Sequence, residues 1–192
     1  ELQACWRNGV RVVQEVNVGR QTVVLVQNLA RPELKLTRRE IYLALGRRTP
    51  IPSDPARVAP NSAMVWPQIV PIGIGSPIQV LGPERESGLG QAFIDLLLEP
   101  GCRTYSSLAD LRERDVGGYE SICRSLRIDG VYVEHAEDIP TIAQNVHGMP
   151  GAIGVIDYNF FDSHREVLVA TLIDGVAPTA ESIAAGTYPA SR

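Results

Sequence analysis

The chain has 192 residues, of which 44% are apolar, 21% charged and 6% aromatic, a length that fits one large domain, or one and a half ordinary ones, with a sizeable core. Eighteen Lys and Arg against 22 Asp and Glu leave a formal charge of -4, so no uniformly basic surface is on offer and nucleic acid is not expected as a partner. No apolar run nears the roughly 18 residues of a membrane-spanning helix. The sequence opens on Glu1 with neither Met nor a charged-then-apolar leader, so a soluble chain, processed or cut at its start, is expected.

Val10 to Gln27 reads as two extended segments, Val12–Val16 and Thr22–Val26, with Gly19 as the turn between them. The second is apolar throughout, as in a strand buried on both faces. Thr37 and Glu40 form a capping box ahead of Ile41–Leu45, predicting a helix that Gly46 stops. From Thr49 to Pro77 prolines recur without a lasting period, which predicts a long irregular excursion broken by the short stretch Ser62–Trp66. Ile78–Leu81 then predicts a strand, Gly82–Gly90 a glycine-bearing loop, and Ala92–Leu98 a helix. Further helices are expected at Ser107–Arg114, at Tyr119–Leu126, and from Asp138 to His147, the last with Pro140 in its first turn and Gly148 closing it. Strands are expected at Val131–Val133, Ala152–Ile156 and Val167–Ile173, and a short helix from Thr179. The chain stops at Ser191-Arg192 without a terminal element, so a cut is expected there too. This alternation predicts α/β layers. The triplets Asn8-Gly9-Val10, Asp129-Gly130-Val131 and Asp174-Gly175-Val176 recur irregularly and read as turns that feed strands rather than as a repeat.

Three cysteines, Cys5, Cys102 and Cys123, lack the paired short spacings of a zinc site. A turn signal at Val116-Gly117-Gly118 would let Cys102 and Cys123 meet; a bond there would add about 3 kcal/mol and imply an oxidising compartment, but the residues alone leave the pairing open. The loop Glu84–Gly90 has the chemistry of an anion site. Ser87 is placed as N-cap, Gly88 and Gly90 would admit a ligand close to the backbone, and the positive helix end faces the mouth. A well-capped helix without ligand is the plainer alternative. It is not a P-loop, because the Gly-Lys-Ser/Thr ending is missing, nor a nucleophile elbow, because Arg85 stands where a Gly is required. His135, His147 and His164 share no metal-binding spacing, and Glu134, Glu137 and Asp138 read as solvated residues. Asp157, Tyr158 and Asp162 follow an apolar strand, where an α/β crevice would lie, but read more simply as turn formers. Trp6 and Trp66 read as gap fillers or groove covers. No base, nucleophile and oxyanion set assembles, so no enzyme, metal or cofactor is expected.

Several stretches together resemble a known family. They are Cys5–Val10 with Glu15 and Gly19; Leu36-Thr37 through Tyr42–Leu45; Leu81-Gly82-Pro83 with Ser87-Gly88 and Ala92-Phe93; Gly101-Cys102; Ile122-Cys123; Asp129-Gly130 to Glu134; and Ile173–Thr179 with Gly186–Pro189 and Ser191-Arg192. In order and spacing the chain resembles the PstS-like periplasmic phosphate-binding proteins of phosphate ABC transporters. The resemblance implies an α/β, periplasmic binding protein-like (type 2) lobe, a central mixed sheet flanked by helices. Residues 1–28 would be the end of a first lobe and a crossover strand, 29–165 the second lobe, and 166–192 a truncated return crossover. The first-lobe phosphate loop of Gly-Ser-Ser-Thr type would lie outside this sequence.

The family's second-lobe motif reads Ser-Gly-Thr, with an Arg just after it or four residues before the Ser. Ser87 and Gly88 match it; Leu89 replaces the Thr, and Gly90 and Pro83 occupy the two Arg positions. Arg85 is displaced and would compensate only if the loop folds back. Two lost charge-assisted hydrogen bonds imply phosphate binding weaker by roughly two to four decades. The expected ligand set is therefore Arg85, Ser87, Gly88, Leu89 and Gly90, with phosphate or a similar anion as ligand, an ABC permease as partner and the periplasm as location. Cys102 and Cys123 match paired cysteines in the family, which implies their disulfide. The rival expectation is a lobe that gave up its ligand and became a structural subunit of an envelope assembly.

Overall fold

The computed structural model describes residues 2–10, 12, 14, 19–31, 33–71, 76–135 and 138–192. Of the expected first extended segment, residues 13, 15 and 16 lie outside these, as does Glu137. In chain order the elements are α1 (Leu2–Arg7), β1 (Val23–Asn28), β2 (Lys35–Leu36), α2 (Arg38–Leu45), β3 (Arg48–Ile51), β4 (Asp54–Pro60), β5 (Val80–Pro83), α3 (Gly88–Phe93), α4 (Glu99–Cys102), α5 (Ser106–Ala109), α6 (Leu111–Arg114), α7 (Val116–Cys123), β6 (Tyr132–His135), α8 (Ile139–Gly148), β7 (Ile153–Asp157), α9 (Tyr158–Asp162), β8 (Leu168–Ala170), β9 (Leu172–Ile173) and α10 (Ala180–Ala184).

Five strands form a mixed sheet in the order β6-β5-β7-β1-β8. β5 runs parallel to β6 and β7, whereas β1 is antiparallel to both β7 and β8. The strand side-chain period of two sends Val23 and Leu25 of β1 into one core with Val80, Ile153, Val155, Phe93 and Leu97, and Val24 and Val26 into a second core with Leu81, Ile156, Ile142, Val146 and Phe161. Both faces are thus covered, which is why Val23–Val26 of β1 and Ile153–Ile156 of β7 carry no polar side chain. α8 lies directly on the sheet at Gly154, where a Cβ would meet Val146 Cγ2 at 2.9 Å.

The Thr37 capping box is present, with Glu40 N–H donating to Thr37 Oγ1 at 3.2 Å and Thr37 N–H to the Glu40 carboxylate at 2.7 Å. Gly46 ends α2 in extended backbone rather than the left-handed form; it is needed because a Cβ there would lie 2.8 Å from the Tyr42 ring. The glycines of all three Asx-Gly-Val triplets have positive φ, at 83°, 89° and 82°, the region that side chains other than glycine enter at a cost.

Four local expectations need correction. Arg48–Pro60 is a β3–β4 hairpin rather than irregular chain; in a two-stranded ribbon both strands are edges, so its prolines need not break a ladder. Val116–Gly118 is the first turn of α7, not a turn before a helix: the Asp115 side chain accepts Gly118 N–H at 2.9 Å and caps it. The helix expected at Ala92–Leu98 runs from Gly88 to Cys102 through a π turn at Ile94–Leu98. That turn shifts Glu99 N–H onto Ile94 carbonyl just before Pro100, which has no N–H and whose ring crowds the preceding turn. The strand expected at Val167–Ile173 divides at Thr171, β8 pairing with β1 and β9 with β2. Trp66 fills the core, whereas Trp6 is 62% exposed.

Cys102 and Cys123 form a disulfide with Cα atoms 5.3 Å apart, joining the end of α4 to the end of α7. Nearby, Gly101 lets α4 approach α2, since a Cβ would fall 2.0 Å from Arg38 carbonyl oxygen. Among the described residues no helix is long and apolar enough to cross a membrane. Arg127, 2% exposed, is held by Asp129, with Nε to Oδ1 at 2.8 Å, and donates to the carbonyls of Ala44 and Ala63 at 3.1 and 2.6 Å.

Two outcomes follow from these links. Reduction of the Cys102–Cys123 bond, whose sequence separation is 21, is expected to lower unfolding stability by about 3 kcal/mol through freed loop entropy, read as a lower midpoint in denaturant with and without reductant. The hydrogen bond from Arg127 holds the Asp129 carboxyl below its ordinary range against a smaller effect of burial. Its stabilisation is therefore complete above about pH 4 and lost as pH falls through the depressed value. Asp129→Asn is expected to destabilise the fold at pH 7 by about 1–2 kcal/mol, because it removes the charge that meets the Arg127 guanidinium from a carboxylate still 44% exposed, and to flatten the acid limb of a stability–pH profile; an unchanged profile would contradict the assignment.

Candidate functional site

β5, β6 and β7 are mutually parallel through β5 and end at one edge of the sheet. From that edge the chain passes directly into α3, α8 and α9. The start of β1 lies at the same edge, because Val23 pairs with Asp157 and Tyr158 N–H donates to Thr22 carbonyl at 3.1 Å. A cleft of about 610 Å³ opens there, the crevice at strand carboxyl ends where open α/β sheets place ligands. Leu89 comes to it from α3, Ile139 from α8, Asp157 and Tyr158 from the start of α9, Ile183 from α10, and Gly19 to Thr22 from the approach to β1.

Ser87 caps α3, its Oγ accepting Gly90 N–H at 3.0 Å. Gln91 N–H bonds Ser87 carbonyl at 2.9 Å, so by helix geometry the Gly88 and Leu89 amides are the ones left for an outside acceptor. Gly88 is exposed, with Gln21 Nε2 donating to its carbonyl at 2.9 Å. Gly90 has another task. It is buried, and a Cβ there would sit 2.1 Å from Glu84 carbonyl oxygen and 2.9 Å from Arg85 Cα. The glycine lets the helix close on its own loop, and an arginine has no room at that position.

Arg85 is bound by the Glu134 carboxylate of β6, and its carbonyl accepts Gln91 Nε2 at 2.6 Å. Its charge is thereby met by an acid on the neighbouring strand. Glu84 and Glu86 are exposed and outside the cleft lining. Asp157 Oδ1 accepts Phe160 N–H at 3.0 Å, a capping bond that sets this carboxylate against the positive end of α9. The Tyr158 hydroxyl is turned to Asp162 at 3.2 Å, and its ring is left to the cleft.

Gln21 ties the site together. Its backbone makes a two-way pair with Arg192, N–H to O at 2.9 and 3.0 Å, while its side chain meets both Gly88 and the Arg192 guanidinium. Arg192 also pairs with Asp95 at 2.5 Å, as does Arg124 at 2.7 Å. Burial pushes the Asp95 carboxyl up, but the two guanidiniums outweigh it and hold it below its ordinary value. Arg20, Gln21, Ile139 and Ile183 were not singled out from the sequence. Their only signal is position, at the doorstep of a wholly buried strand or in the first turn of a helix, and that becomes meaningful once the strand order is known. Among the described residues no group of His, Cys, Asp and Glu is arranged to hold a metal.

A family model for the PBP superfamily domain matches residues 1–192. The chain belongs to the PBP superfamily. Among curated proteins none matches its sequence. Solved structures with this fold include a possible phosphate binding protein from Planctomyces limnophilus DSM 3776, with TM-score 0.67 and 21% identity, over 100% of this chain and 57% of the other. PstS from Borrelia burgdorferi gives a TM-score of 0.62 at 17% identity over 90% and 55% of the two chains. An ABC-type phosphate transport receptor from Vibrio cholerae gives 0.57 at 19% over 98% and 67%. This PBP-superfamily chain thus spans little more than half the length of the first two proteins.

The close approach at Gly90 makes a direct prediction. Gly90→Ala is expected to displace the Glu84–Ser87 loop and lower the melting temperature, whereas Gly88→Ala, whose Cβ would meet nothing nearer than Gln21 Nε2 at 4.0 Å, is expected to leave folding nearly unchanged. Equal melting of the two variants would remove the packing role of Gly90.

Proposed function

We propose that this chain is the anion-binding lobe of an extracytoplasmic solute-binding protein that delivers phosphate or a similar anion to an ABC importer. The observation that carries the reading is the cleft at the carboxyl edge of β5, β6 and β7, where the Ser87-capped mouth of α3 meets the start of β1. Backbone amides at a helix N-terminus favour an anion both by hydrogen bonding and through the helix dipole. The solved structures with this fold, described as phosphate-binding or phosphate-transport proteins, support the choice of ligand. The work is non-covalent recognition rather than catalysis.

In this reading Ser87, Gly88 and Leu89 face the ligand, Gly90 holds the loop in place, and Arg85 acts through its Glu134 pair. Residues 29–165 form the second lobe and the flanking segments the crossovers; β1 and β8, from either side of that span, lie side by side in the sheet, as crossover strands would. A facing lobe would complete the cleft. The buried disulfide supports an oxidising compartment such as the periplasm.

Calorimetric titration of the full-length protein with inorganic phosphate tests the proposal. Binding is expected, and Ser87→Ala is expected to weaken it by about tenfold, the worth of one hydrogen bond at an anion site. No heat of binding, together with a heavier assembly in native mass spectrometry, would replace this reading with that of a structural subunit in an envelope complex.

A further inference from the structure

The cleft has an apolar wall that a bare oxyanion does not use. Leu89, Ile139 and Tyr158 are each only partly buried, and all three line it together with Ile183. On this lobe the cleft measures about 610 Å³, and a group attached to the anion would lie along that wall. Leu89 stands at the helix mouth, on the second residue of α3, where a hydroxyl would serve a phosphate oxygen and an isobutyl group cannot.

Among the described residues the same lining holds one cation, Arg20. Arg20 is exposed and has no ion pair or hydrogen bond among the described residues, in contrast to Arg38, Arg85, Arg124, Arg127, Arg165 and Arg192, which all pair with carboxylates. Its neighbour Gln21 is fixed by the Arg192 backbone pair and the Gly88 bond. The root of Arg20 is therefore held beside the mouth of α3 while its guanidinium stays free to form a fork with an oxyanion. Asp157, the carboxylate in the lining, is engaged at the first turn of α9.

Resting on the anion-binding reading above, we propose that the ligand is an organic anion of the phosphate-monoester or phosphonate class, its charged head taken by Arg20 and the α3 mouth and its apolar group laid on Leu89, Ile139 and Tyr158. Burial of one phenyl-sized group against that wall is worth roughly tenfold or more in affinity, and the same wall gives a free phosphate ion nothing.

The test is calorimetric titration of the full-length protein with inorganic phosphate and with phenyl phosphate, on the native chain and on Leu89→Thr and Arg20→Gln. Phenyl phosphate is expected to bind at least tenfold more tightly than phosphate. Leu89→Thr is expected to shrink that ratio severalfold while strengthening phosphate itself, and Arg20→Gln to weaken both ligands about tenfold with the ratio kept. Because Arg20 is exposed, its variant is expected to melt with the native chain. Phosphate bound as tightly as phenyl phosphate would overturn the inference and leave the anion-binding reading standing. Failure of both ligands to bind would overturn the two together.

Discussion

β1 has no exposed face and no free edge, and the rest of the domain is arranged to satisfy it. Its six residues are all buried, so each of its amides and carbonyls must find a partner inside the protein. β7 serves one edge and β8 the other. Where β8 ends, the chain's last residues take over: Val23 N–H bonds Ala190 carbonyl, and Gln21 pairs with Arg192. Tyr188 adds a buried hydroxyl to Val23 carbonyl at 3.1 Å. Segments far apart in sequence are thus locked around one strand, and the strand's first residues are delivered to the edge where α3, α8 and α9 begin. The cleft follows from hydrogen-bond obligations in the core.

What could be read locally was legible in the sequence. The Thr37 capping box, the Asp138–Gly148 helix and the glycine turns depend on residues within a few positions of each other, and each element is found where its signal stands. Elements whose shape depends on distant partners were not legible. Nothing local separates β8 from β9; they divide because Ala170 pairs with Val26 while Leu172 pairs with Lys35. The β3–β4 hairpin was hidden by its prolines, which count against a strand in a sheet interior but are tolerated in an isolated ribbon. The reach of the α3 helix past Leu98 was hidden by Pro100 and Gly101, residues that argue against a helix until the π turn and the close α2 contact are seen.

The site divides along the same line. Ser87 as N-cap follows from short-range pattern, and the Ser87-Gly88 pair is one of the several stretches behind the family resemblance. Glycine identity, by contrast, cannot say which neighbour it admits. A Cβ on Gly88 would meet nothing nearer than Gln21 Nε2 at 4.0 Å, whereas Gly90 touches its own loop, although the sequence offers both as places for a ligand to approach. Arg20 and Ile139 could not be joined to Leu89 without knowing that β1 runs antiparallel to β7, which puts the start of one strand beside the end of the other.

The acidic excess is small, and three guanidiniums in or near the core are met by carboxylates: Arg127 by Asp129, Arg124 by Asp95 and Glu99, Arg85 by Glu134. Pairs like these contribute position more than net stability when their desolvation is counted, and here they fix loops around the sheet. The pairing of Arg85 matters most for the proposed site, because it removes a nearby cation from the mouth of α3 and leaves helix amides, Arg20 and an apolar wall. On the proposed reading, recognition in such a cleft would depend less on summed charge than on the shape carried behind the charged head, and Leu89 in place of a hydroxyl would change what the cleft fits rather than simply weaken it.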